Sequence, residues 1–107
     1  MTAAAYDRNK QRSYELAKLI ASKLVADPSL IERGREHLDR HVKACRHQRR
    51  YYKLWSRLLK LEAQDIAARL LAMNAEGELL RDTRPVLYIP TNAERARAFD
   101  LADRSAR

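Results

Sequence analysis

Apolar residues recur at intervals of three and four through most of the chain, the spacing that places them on one side of a helix. The first helix is expected to follow Asp7 as its cap and to run to about Ala26, with Tyr14, Ala17, Ile20, Ala21, Leu24 and Val25 on its inner face. Asp27-Pro28 marks a boundary, because proline suits a first helical turn and the aspartate can accept from the free amides there. A second helix is expected from Pro28 to about Arg46. Its stripe of Ile31, Leu38, Val42 and Cys45 is narrow and suits packing on one other helix. Gly34 lies in that stripe and permits a close helix crossing, at a propensity cost of about 1 kcal/mol relative to alanine.

A third helix is expected around Tyr51 to Leu61, carrying Tyr51, Leu54, Trp55, Leu58 and Leu59 inward. A fourth is expected from about Gln64 to Met73 on Ile66, Ala67, Leu70 and Leu71. The stretch Asn74-Ala75-Glu76-Gly77 reads as a break, followed by one helical turn from Glu78 to Asp82. Residues 84–90 hold two prolines among β-branched and aromatic residues and are expected to be extended, lying across the helices or adding to a partner's sheet edge. Thr91-x-x-Glu94 is a capping box that starts a last helix, Asn92 to about Ala102, with a weak apolar face of Ala93, Ala96, Phe99 and Leu101.

The expectation is therefore an all-α fold: a small bundle of four to five helices with one short extended segment near residues 84–90. With only two glycines and three prolines, many short strands with tight turns are disfavoured. A length of 107 residues fits a single helical domain over 1–107, in which 84–107 is a candidate partner-docking tail presenting Val86, Tyr88, Ile89 and Phe99. So short a chain buries a modest core, which favours a protein partner or a homo-oligomer. Apolar runs such as Leu19-Ile20-Ala21 fall far short of the roughly 20 residues that span a bilayer, so no membrane association is expected. The first residues lack a basic stretch followed by an apolar one, and a single cysteine forms no internal disulfide; both point to a cytoplasmic location.

Charge changes this picture. The formal net charge is +8, and the stretch 40–60 alone carries eight basic residues (Arg40, Lys43, Arg46, Arg49, Arg50, Lys53, Arg57 and Lys60) and no acidic one. The excess is thus a patch, and a patch of this sign suits an anionic partner. Lys43 and Arg46 also complement the dipole at the end of the second helix, which accounts for part of it without any ligand. Within the patch, Arg46, Arg49, Arg50, Lys53 and Arg57 are candidates for phosphate or an acidic protein surface, Gln48 for a base edge and Tyr52 for stacking. Aromatics among arginines equally mark protein interfaces, and Trp55 is expected in the core.

His37-x3-His41-x3-Cys45 offers three metal-ligating side chains near one helix face. The first and last are about 12 Å apart along a straight helix, so one ion needs a pair from here completed by another helix or subunit. A metal-responsive repressor with such an intersubunit site is a third class of function, but no metal site and no cofactor is expected. Catalytic signatures are lacking: no G-x-S-x-G, no phosphate-cradling glycine loop and no H-E-x-x-H occurs. Glu32, Glu36 and Asp39 interleave with Arg33, Arg35 and Arg40 as a salt-bridged surface does, so no enzyme is expected. No standard helix-turn-helix is present either, since the Asp27-Pro28 junction joins helices too long for that unit.

The order Asp27-Pro28-x-Leu30-Ile31-x-x-Gly34, Tyr52-x-x-Trp55-x-x-Leu58-Leu59, Leu80-Arg81 with Pro85, then Glu94-Arg95 resembles a group of small helical bacterial proteins, the antitoxin-like components of toxin-antitoxin modules. The resemblance covers most of residues 14–95, although the loop before Glu94-Arg95 is less apolar than is typical of the group. It implies a protein that binds a cognate toxin, with operator DNA as a second target. The alternative expectation is a DNA- or RNA-binding accessory protein, for example of phage origin, without a toxin partner.

Overall fold

The computed structural model describes residues 3–43, 45, 46 and 49–105. Six α-helices are formed among them: α1 Ala3–Ala26, α2 Leu30–His37, α3 Arg49–Leu58, α4 Ala63–Leu70, α5 Ala75–Thr83 and α6 Asn92–Ser105. No strand occurs among the described residues, so the all-α class holds, with six helices rather than four to five. The extra helix is α5. Asn74 is extended and its side chain accepts from the Gly77 amide at 2.8 Å, so the stretch expected to break the chain instead caps and begins a helix.

α2 does not stop at His37 but widens into a π-helical segment, Leu38–Val42, closed by the Lys43 amide donating to Leu38 O at 2.9 Å. Upstream, Asp27 accepts from the Ser29 amide at 3.2 Å, and amides of Leu30 to Glu32 donate three residues back, a tight turn leading into α2. Asp7 does not cap α1, because the helix already begins at Ala3.

α1 is the spine, in contact with α4, α5 and α6, while α3 packs on the π-helical segment and α5 on α4. Ala17, Ile20, Ala21 and Leu24 of α1 are buried as their spacing implies, but Val25 is exposed. Leu38 and Val42 join Trp55, Leu58, Leu59, Ile66, Ala67, Leu70 and Leu80 in one continuous core. The indole of Trp55 is fully buried, and its Nε1 donates to Thr83 Oγ1 at 3.0 Å, which satisfies its one polar group.

Residues 84–90 form neither helix nor strand: Arg84 is extended, but the chain bends at Leu87, whose side chain joins the helical core. Pro85 and Leu87 are buried while Val86 and Ile89 face outward. Gly34 makes room for the Leu87 side chain, with which a Cβ there would collide, rather than for the crossing of another helix. The capping box forms as read, with the Glu94 amide donating to Thr91 Oγ1 at 3.1 Å and the Thr91 amide to Glu94 Oε1 at 3.0 Å. The α6 face differs from expectation. Ala98 and Ala102 are buried, whereas Ala93, Ala96 and Leu101 are exposed.

Candidate functional site

Arginines in this fold divide into two kinds. Three are spent on the carbonyls that a helix leaves free at its C-terminus. Arg35 Nη2 donates to Leu59 O at 2.9 Å just past α3, and Arg81 Nη1 donates to Leu70 O at 3.0 Å and Ala72 O at 2.9 Å at the end of α4. Arg84 Nη1 donates to Arg81 O near the end of α5, and burial pushes its guanidinium below the ordinary value against an opposing pull from Asp82. Others are tied to carboxylates, as Arg12 is to Asp103 at 3.2 Å and Arg69 to Glu76 at 3.7 Å.

The patch behaves otherwise. Arg40, Lys43, Arg46, Arg49, Arg50, Lys53, Arg57 and Lys60 are all exposed, and among the described residues none of them makes an ion pair. In chain order this basic ridge starts in the π-helical segment at Arg40, includes Lys43 and Arg46 in the turns beyond, and continues on α3 and in the turn at Lys60. α3 turns these cations outward because Trp55 and Leu58 hold its inner face in the core. Steps of three and four residues between Arg50, Lys53 and Arg57 correspond to about 4.5–6 Å of helix rise, so these charges form a row on α3, with Lys60 in the turn just past its end.

The aromatics beside the ridge are partly committed. Tyr52 donates its hydroxyl to Asp39 Oδ1 at 2.9 Å, which ties α3 to the π-helical segment, and Lys43 lies over its ring with 5.7 Å between Nζ and the centroid. Arg50 stacks over Tyr51, 4.7 Å from the ring centre. Asp39 is the carboxylate closest to the patch in sequence, and its bond goes to a neutral phenol. Of the seven residues expected at the site, Arg46, Arg49, Arg50, Tyr52, Lys53 and Arg57 fall along the ridge, and Gln48 lies outside the described residues.

The docking candidates separate. Val86, Tyr88 and Ile89 share a cleft of about 390 Å³ with Arg84 and Arg95. Phe99 is not part of it and lies on the α1 side of α6, under the Arg12 guanidinium at 4.9 Å. Tyr88 is fixed by donating to Glu94 Oε1 at 2.7 Å, with Lys23 3.4 Å from the other carboxylate oxygen. The Thr91 amide, followed by the Tyr88 hydroxyl and Lys23, holds the Glu94 carboxyl down at about 2.

His37 and His41 come together, with ring centres 4.9 Å apart, but no group of three His, Cys, Asp or Glu suited to a metal forms among the described residues. Cys45 is half-buried in the turn beyond. Two features escaped the sequence pattern. One is the set of arginines on helix ends, which tertiary packing alone brings to their carbonyls. The other is an open apolar groove of about 570 Å³ between α3, α4 and α5, floored by Leu54, Leu58, Leu61 and Leu79.

No family model, curated protein or solved structure matches this chain.

Proposed function

We propose that this is a non-catalytic, antitoxin-like binding protein that grips the phosphate backbone of nucleic acid with the ridge on α3 and binds a cognate protein through a separate face. The observation that carries the first half is the row of exposed cations without ion pairs, in a molecule that ties many of its other charges to carboxylates or helix ends. Unpaired cations cost nothing in lost salt bridges when they meet phosphate, and binding releases the counterions condensed there. Arg49, Arg50, Lys53 and Arg57 are the principal phosphate contacts, with Arg46 and Lys43 extending the track. Such a face reads charge more than sequence, so operator preference would depend on Gln48 or on DNA shape.

The second half rests on the resemblance and on Val86 and Ile89, which are exposed beside Arg84 and Arg95 in one cleft. Fluorescence anisotropy with random duplex DNA and with RNA tests the ridge. Binding that weakens steeply with salt and is abolished in the Arg49→Glu, Arg50→Glu double variant is expected; binding that persists at high salt would overturn it. Co-purification with the product of an adjacent gene tests the partner. If expressing that neighbour alone leaves growth unaffected, the protein is instead a nucleic-acid accessory protein that uses the same ridge.

A further inference from the structure

α2 and the π-helical segment that continues it carry Arg33, His37, Arg40 and His41 at intervals of four, three and one, which puts all four towards one side. With Glu36 and Val86 they line a pocket of about 310 Å³ on the flank of the ridge. Arg33 makes no ion pair or side-chain hydrogen bond among the described residues, and neither does Arg40. The two imidazoles sit 4.9 Å apart, and the buried Nδ1 of His37 has no hydrogen-bond partner. Two guanidiniums and two imidazoles gathered with a single carboxylate are a poor setting for a metal cation and a good one for a compact anion.

We infer that this pocket takes a phosphomonoester group, held by Arg33 and Arg40 with His41 as a further donor. The ridge offers diester phosphates a row of point charges; the pocket, shallow and open, differs in gathering two guanidiniums and two imidazoles around one spot, which suits a terminal phosphate bearing two charges. Guanidinium groups supply paired donors to two phosphate oxygens, and an imidazole donates to a third. Glu36 opposes the ligand and sets its affinity below what the cations alone would give. Two sources share this chemistry, the 5′ end of a nucleic-acid strand and free phosphate. The first rests on the ridge reading, because the pocket adjoins Arg40, where the ridge begins.

Proton NMR of the histidine rings, titrated with inorganic phosphate against chloride at equal ionic strength, tests the pocket without any nucleic acid. Saturable shifts of the His37 and His41 resonances are expected, weakened about tenfold by Arg33→Gln, which removes a charged donor. Glu36→Gln should tighten phosphate binding. All three side chains altered or observed at the rim (Arg33, Glu36 and His41) are exposed, so circular dichroism of the variants should match that of the parent. Shifts no larger than those from chloride, or a phosphate affinity indifferent to Arg33→Gln, would overturn the proposal. A 5′-phosphorylated oligonucleotide binding about tenfold tighter than its 5′-hydroxyl counterpart, with the preference lost in Arg33→Gln, assigns the pocket to a strand end; equal binding alongside positive phosphate shifts assigns it to free phosphate. Failure of all oligonucleotides with retained phosphate shifts would remove the ridge reading and leave the pocket standing.

Discussion

At Gly77 an added Cβ would meet the carbonyl carbon and oxygen of Ala72, which are backbone atoms and cannot turn aside. At Gly34 the obstacle is the end of the Leu87 side chain, which can shift although it lies in the core. Alanine gains about 1 kcal/mol over glycine in helix propensity, whereas overpacking costs about 1–3 kcal/mol. Gly77→Ala, blocked by backbone atoms, should therefore fall at the upper end, a net loss of up to about 2 kcal/mol, and Gly34→Ala should lose less, measured by urea unfolding. A Gly77→Ala variant as stable as the parent would contradict the close approach of α5 to Ala72. His37 gives a second test at this scale. Burial, then the neighbouring His41, holds its imidazole below the ordinary value of 6.5. The folded state therefore binds fewer protons than the unfolded chain, and stability should be full above pH 6.5 and decline as pH falls below it. In His37→Gln that decline should shrink, read as the change in Tm between pH 7.5 and 5.5.

Among the helices, α6 shows what a local signal can specify. Thr91 and Glu94 stand three apart, and that spacing alone located the start of α6 at Asn92. The same carboxylate also receives the Tyr88 hydroxyl and faces Lys23, so it fastens the 84–90 segment and α1 as well as capping a helix. With the Glu94 carboxyl at about 2, below its ordinary 4.5, this contribution is complete above pH 4.5 and is lost as pH falls towards 2. Glu94→Gln should flatten that limb of the Tm profile while leaving the decline near pH 6 intact, so the two windows are separable. The inner faces of α1, α3 and α4 were legible because large apolar residues recur at helical spacing. The inner face of α6 was not, because Ala98 and Ala102 differ from Ala93 and Ala96 only in position, and it is the meeting with α1 that buries one pair. α5 was obscured for a similar reason. Asn74 and Gly77 are breakers by type, and only their mutual hydrogen bond makes them a helix start.

Over the whole molecule, the charge that supports binding should oppose folding. Eight exposed cations, none ion-paired among the described residues, lie within a 21-residue stretch of a body about 38 by 31 by 25 Å, and those one helical turn apart on α3 lie within a screening length of one another, which is about 10 Å at 0.1 M salt. Their mutual repulsion is relieved by salt, and by the same token salt weakens any hold on phosphate. The two responses should run in opposite directions. If about five ridge cations meet phosphate, affinity should fall about 500-fold between 50 and 200 mM salt, while Tm rises modestly over the same range. Arg49→Glu with Arg50→Glu reverses two charges in that row, so it should abolish nucleic-acid binding and raise Tm at low salt. Structural residues would behave differently: Arg81→Met strips the carbonyls of Leu70 and Ala72 of their donor and should cost about 1–3 kcal/mol. A double variant that loses binding by losing stability would therefore place Arg49 and Arg50 with Arg81, as parts of the scaffold. Lost binding with equal or greater stability is what a surface kept for a ligand would give.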